Sequence, residues 1–144
     1  MDVALDEARA AADHGDVPIG AVVARVENGD IVARRHNERE RERDPTAHAE
    51  ILALRDAARA AGSWRLDGCA LVVTLEPCPM CAGAVVAARL DLVAFGAADP
   101  KAGALGSLYN LAVDPRLNHE ATVVDGVRAA ECGALLTAFF TDRR

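Results

Sequence analysis

The spacing of apolar positions along the chain alternates between two periods. Val3, Leu5, Ala8 and Ala12 fall near helical spacing and predict a first helix over Val3 to Ala12. An apolar, β-branched run from Val17 to Val26 opens through Pro18 and predicts a strand. Glu27-Asn28-Gly29-Asp30 follows, and Asn-Gly is a hairpin signal because both residues tolerate positive φ. Ile31 to His36 returns as the second strand. Glu38 to Asp44 then alternates Glu and Arg and reads as a solvated loop, or as the solvated end of a strand.

Asp44-Pro45-Thr46 offers capping oxygens and a proline suited to a first turn, so a helix is expected from Ala47 to Ala61, ending at Gly62. Ala70 to Leu75 is apolar throughout and predicts a strand buried on both faces. A helix over Pro77 to Ala88, a strand over Leu92 to Phe95 and a small-residue loop over Gly96 to Gly106 follow. Ser107 to Val113 reads as a short helix, Ala121 to Val124 as a fifth strand and Val127 to Phe140 as the last helix. Strands alternating with helices after an opening hairpin predict an α/β domain, a mixed five-stranded sheet covered by helices on both faces. The pattern shows neither repeats nor a linker, so residues 1–144 are expected to form a single domain.

Composition changes this picture little. The chain is 51% hydrophobic but only 3% aromatic, which calls for a core of small and branched aliphatics. No run approaches the ~20 apolar residues that span a bilayer. The acidic start at Asp2, Asp6 and Glu7 is unlike a signal peptide, so no membrane association is expected. Four cysteines, two of them in a ligand-spaced pair, fit the reducing cytoplasm better than a disulfide framework. The formal charge of −6 gives no bulk support for nucleic-acid binding, so any such site must be local.

The chemistry concentrates in His48-Ala49-Glu50 and Pro77-Cys78-Pro79-Met80-Cys81. Cys78 and Cys81, three residues apart, share one side of a first helical turn, and His48 lies near the start of the other central helix. Two thiolates and a neutral imidazole can hold one Zn2+ per subunit and leave its fourth position open, as catalytic rather than structural sites do. Glu50 is then a carboxylate placed to move protons beside the metal. Alone it would read as a solvated acid in a first helical turn. His14, His36, His119, Cys69 and Cys132 are the available fourth ligands for a structural zinc, but none sits in a paired motif. A redox role for Cys-x-x-Cys would leave His-x-Glu unexplained. The H-x-E…P-C-x-x-C pattern is the established signature of zinc-dependent nucleobase deaminases.

Over nearly its whole length the chain resembles the bacterial tRNA-specific adenosine deaminases of the cytidine deaminase-like superfamily. The resemblance rests on Val17-Pro18-Ile19-Gly20-Ala21-Val22, on Asp44 through Glu50, and on Val73 through Ala84. It continues in Phe95-Gly96-Ala97, Asp99, Lys101, Gly103-Ala104, Gly106-Ser107, Asn118-His119, Phe139-Phe140 and Arg143-Arg144. The zinc motif is common to the superfamily, whereas the loop after Phe95, Asn118-His119 and the tail are much more specific to the tRNA-acting branch.

The resemblance implies a three-layer α/β/α sandwich and a homodimer with active sites completed across its interface. It implies hydrolysis of adenosine to inosine at the wobble position of a tRNA anticodon stem-loop, usually that of an arginine tRNA. Zinc-activated hydroxide would attack C6 of a flipped-out adenine, with Glu50 as the proton shuttle. Asn37 matches a residue that hydrogen-bonds the base, Ile19 and Leu75 match pocket walls, Glu76 a pocket-adjacent acid, and Ala49 a backbone contact to the purine. Asp99 matches a contact to the preceding nucleotide, Lys101 a phosphate contact, and His119 and Phe140 further anticodon-loop contacts. The competing expectations are a deaminase of a free base or nucleoside, of guanine or cytosine type, and a zinc-stabilised RNA-binding scaffold without catalysis.

Overall fold

A computed structural model describes all 144 residues. Its elements are α1 (Asp2–Asp13), β1 (Gly20–Arg25), β2 (Ile31–His36), α2 (Arg39–Glu42), α3 (Ala49–Ala61), β3 (Cys69–Leu75), α4 (Pro79–Ala88), β4 (Leu92–Ala97), β5 (Thr122–Val124) and α5 (Ala129–Thr141). The strands form one sheet in the order β2-β1-β3-β4-β5. β1 runs antiparallel to both β2 and β3, and β3, β4 and β5 run parallel to one another. Helices α1 and α5 pack together on one face, and α3 and α4 on the other. This is the expected α/β/α sandwich around a mixed five-stranded sheet. No helix is long and apolar enough to cross a membrane.

The core follows from small aliphatic side chains. Val23, Leu71, Val73, Val85 and Val93 are fully buried, each contributing about 1.5–3 kcal/mol of hydrophobic stabilisation by the area removed from water. Central strands β1 and β3 are apolar on both faces because helices cover both. Helix α1 buries Ala4, Leu5, Ala8 and Ala11, one stripe at helical spacing. It lies so close to β1 that a Cβ on Gly20 would overlap the backbone of Ala4 and Ala8.

Several local expectations are corrected. Glu38 to Asp44 is not simply a solvated loop, because Arg39–Glu42 form the short helix α2. The cause lies outside the segment: the fully buried Asp16 carboxylate accepts the backbone N–H groups of Glu40 at 2.7 Å and Arg41 at 3.1 Å. A carboxylate at a helix N-terminus satisfies orphan donors and opposes the macrodipole, which local alternation of charge cannot do. The helix after Asp44 starts later than expected, with His48 as its N-cap. The Asp44 side chain instead closes a turn by accepting the Thr46 N–H at 2.8 Å and its hydroxyl at 2.7 Å.

In the β1–β2 connection only Gly29 has positive φ, while the Asn28 side chain accepts the Asp30 N–H at 2.9 Å. The turn is therefore an Asx type rather than the two-residue form that Asn-Gly suggests. β4 extends through Gly96 and Ala97, and the expected helix over Ser107 to Val113 reduces to a single 3-10 turn, Leu111–Val113.

Candidate metal centre and base pocket

The C-terminal end of β3 and the N-termini of α3 and α4 converge. His48 and Cys78 are the N-caps of α3 and α4, and Cys81 sits in the first turn of α4 with Pro79 at its start. Proline suits that position because its missing N–H would be unpaired there anyway. The two helices thus bring side chains distant in sequence to one point. His48 Nδ1 lies 3.7 Å from Cys78 Sγ and 3.5 Å from Cys81 Sγ. A tetrahedral ion with a nitrogen ligand at ~2.05 Å and a sulfur ligand at ~2.3 Å would separate them by ~3.6 Å. The three residues fit a single bound metal ion.

Electrostatics prepare the same point. The hydrogen bond from Cys81, aided by His48, pulls the Cys78 thiol down to about 4, whereas the contact with Cys78 and burial push the Cys81 thiol up. The bond to Cys78 also raises His48. One anionic sulfur therefore already faces an imidazole that favours positive charge, and a cation can take the place of that proton. Glu50, only 4% exposed in the first turn of α3, is pushed up to about 7 by burial. A carboxyl group near neutrality is suited to both accepting and returning a proton.

Beside these groups lies a cavity of about 210 Å³, lined by Val17, Ile19, Asn37, Arg39, His48, Ala49, Glu50, Leu75, Glu76, Cys78, Asp99 and Ala102. That is below the ~300–1,000 Å³ of drug-sized pockets and suits one ring system. A surface cavity of about 370 Å³ between α2 and α3 is lined mostly by charged side chains and contains none of the metal-centre groups. Most of the residues expected from sequence thus meet: Ile19, Asn37, Ala49, Leu75, Glu76 and Asp99 share one cavity with His48, Glu50 and Cys78. Cys81 is fully buried at its edge.

Asn37 is fixed by donating its backbone N–H to Ile19 O at 3.0 Å and its side-chain N–H to Val17 O at 3.3 Å. Its Oδ1 is buried and without a partner, free to accept from an amine or ring N–H. Glu76 accepts the Ser107 hydroxyl at 2.8 Å through Oε1, and its Oε2 is buried and unpartnered. A Cβ on Gly103 would overlap that carboxylate, so the loop needs glycine there. Asp99 Oδ1 accepts the N–H groups of Lys101 at 3.0 Å and Ala102 at 3.2 Å, so this acid also shapes its own loop. Lys101 is exposed and outside the lining.

Two further expected residues stand apart from the cavity. Phe140 is 49% exposed on α5 and meets Phe139 edge to face. The groove between α1 and α5 nevertheless reaches Pro18, whose neighbours Val17 and Ile19 line the cavity, so the tail shares that end of the molecule. His119 Nε2 lies 2.6 Å from Leu90 O, just before β4 begins and therefore at the opposite end of the parallel strands. Arg39 and Ala102 line the cavity without having been singled out in the sequence, and Val17, quoted there only as part of a motif, lines it too. Arg39 is hidden there by the Glu–Arg alternation around it; its spacing from Asn37 is the only available signal.

Comparisons with known proteins agree with this geometry. The family description "MafB19-like deaminase" matches residues 1–144. A tRNA-specific adenosine deaminase of Bacillus subtilis (strain 168) is 55% identical over 144 residues, covering 100% of this chain and 88% of that protein. A structure from work on A-to-I editing by tRNA:A34 deaminases at the wobble position of transfer RNA superposes with TM-score 0.89 and 43% identity, over 94% of this chain and 97% of the other. A guanine deaminase from Nitrosomonas europaea superposes with TM-score 0.82 at 28% identity, over 97% of this chain and 82% of the other.

Proposed function

This chain belongs to the MafB19-like deaminase family, and from that premise we propose that it hydrolyses adenosine to inosine at the wobble position of a tRNA anticodon. The observation that carries this reading is 55% identity, over the whole of this chain, to a tRNA-specific adenosine deaminase. In the reaction water adds at C6 of adenine, a C–O bond replaces the C6–N bond, and ammonia leaves.

We infer that the ion is zinc, held by His48, Cys78 and Cys81; the nitrogen–sulfur separations support this assignment. Zinc supplies Lewis acidity that makes hydroxide available near neutral pH. Glu50 takes the proton of the attacking water, delivers it to a ring nitrogen and returns a second proton to the leaving amine. Its burial supports that role, because a carboxyl tuned near neutrality exchanges protons in both directions. Asn37 orients the base through its unpartnered oxygen, Ile19 and Leu75 exclude water, and Ala49 and Glu76 complete the wall. Asp99 and Lys101 meet the flanking nucleotide and its phosphate, and Phe140 meets the anticodon loop outside the pocket, whereas His119, held at the opposite end of the strands, is out of reach of that loop within one chain. RNA read as splayed, unstacked bases needs local contacts of this kind rather than a basic surface.

The RNA is an anticodon stem-loop of the arginine type, the whole chain acts as one domain, and the setting is cytoplasmic. Two copies pair into a homodimer. An apolar hollow lined by Ile51, Leu54, Ala58, Trp64, Ala84 and Ala88, with Trp64 61% exposed, supports such pairing.

The deciding assay incubates zinc-loaded protein with an anticodon stem-loop carrying wobble adenosine, alongside free adenosine, cytosine and guanine. Inosine in the RNA is expected. Turnover of a free base without inosine in the RNA would replace this reading with the guanine-deaminase type, which the same fold accommodates.

A further inference from the structure

Asn37 is flanked in the chain by His36 and Glu38, and neighbours in extended backbone point to opposite sides. Asn37 lines the base pocket. Its two neighbours meet His14, from the loop after α1, so that one ligand atom from each residue lies within 4.8 Å of the others. The His14 and His36 ring centroids are 5.1 Å apart, and Glu38 Oε1 is 3.6 Å from His36 Nε2.

The surroundings of this cluster resemble a prepared ligand set. Each imidazole has a carboxylate at Nδ1: Glu7 Oε2 is 2.6 Å from His36, and Asp16 Oδ2 is 3.1 Å from His14. Such carboxylates fix the ring and raise the basicity of the opposite nitrogen in metal sites. His36 Nε2 and His14 Nε2 are buried with no hydrogen-bond partner. A buried polar atom left unpaired is destabilising, so two in one place favour a shared partner. The remaining carboxylate oxygens are occupied from outside, with Arg34 on Glu7 Oε1 at 2.6 Å and Arg35 on Glu38 Oε2 at 2.7 Å. Glu38 Oε1 faces inward, with Arg41 Nη1 at 3.6 Å as its other cationic neighbour.

We propose that His14, His36 and Glu38 form a second metal site, separate from the sulfur centre, for a divalent first-row transition ion. Two imidazoles and one carboxylate suit zinc, cobalt or nickel; calcium and magnesium want shells built of oxygen. An ion here ties the end of α1 to the end of β2 and grips both neighbours of Asn37. It stiffens the pocket wall and does not take part in the reaction.

Chelator-stripped protein is dialysed against Co2+ and against Zn2+, with bound metal counted by elemental analysis. The wild type is expected to hold about two equivalents per chain, one for each ligand set. With Co2+, the sulfur centre gives thiolate charge-transfer absorbance, and the second equivalent adds none. His14→Gln and His36→Gln are each expected to remove the second equivalent and keep the charge-transfer band. Glu7→Gln should weaken it by about 10–100-fold. Circular dichroism checks that each variant is folded, and His14→Gln, in the half-buried turn after α1, carries the test if His36→Gln is not. A wild type that stops at one equivalent, or folded histidine variants that still take two, would overturn the proposal.

Discussion

The two histidine clusters on either side of Asn37 are built from opposite materials. One gathers His48, Cys78 and Cys81 on two helix N-termini and opens onto a cavity beside Glu50. The other gathers His14, His36 and Glu38 from a loop and a strand end, ringed by carboxylates and arginines, and contains none of the residues that line the base pocket. The first combines soft ligands with a proton-carrying group and room for a substrate. The second has borderline ligands and lies outside the base pocket. A cluster able to hold a metal ion is therefore not enough to make an active site; a neighbouring acid of tuned basicity and an opening onto the base pocket distinguish the two.

Cys81→Ala should break the contrast most severely. Loss of the metal at the sulfur centre, of all deamination and of part of the thermal stability is expected, with metal at the second cluster retained; elemental analysis and a melting curve report each. Glu50→Gln separates binding from chemistry within the first cluster. Metal content should be unchanged while kcat falls by about 10²–10⁴-fold, as for loss of a general acid–base. A variant with full turnover would remove Glu50 from the mechanism.

Asp16→Ala addresses the second side. It removes the buried carboxylate that accepts two part-buried N–H groups, and a loss of about 1–3 kcal/mol is expected in denaturant unfolding, at about 0.5–1.5 kcal/mol for each unmade bond. Since α2 carries Arg39 into the pocket wall, KM for the stem-loop should rise more than kcat falls. Lys101→Ala lies outside both clusters and has the smallest effect. It should lower the slope of log K against log salt for stem-loop binding by about 0.7, the share of one phosphate contact on a single strand. An unchanged slope would remove Lys101 from the RNA interface.

The sulfur centre was legible because its residue types leave few alternatives at that spacing, and the fold was legible because β1 and β3 are apolar on both faces. Expected and observed boundaries of β2 coincide at Ile31–His36. What sequence did not reveal was decided at long range. A buried aspartate carries no apolar signal, so the link from Asp16 to α2, 24 residues later, could not be inferred locally. Asp44 has the chemistry of a helix cap but spends it on Thr46, since the chain must travel further before His48 can begin α3. The gathering of His14, His36 and Glu38 likewise requires α1 to lie against β2, a contact that no periodicity announces.

The antiparallel ladder between β1 and β3 also has a kinetic consequence. The β1–β2 hairpin and the β3-α4-β4 unit can each form from near neighbours, but joining Arg25 to Cys69 closes a long loop. Loop-closure entropy must be overcome before such a contact is rewarded, which makes this pairing a slow step of folding. His48 lies inside that loop, and Cys78 and Cys81 lie beyond it. A chain whose β1 and β3 have not yet paired is therefore expected to lack an assembled metal centre, and to acquire its chemistry only as its sheet becomes continuous.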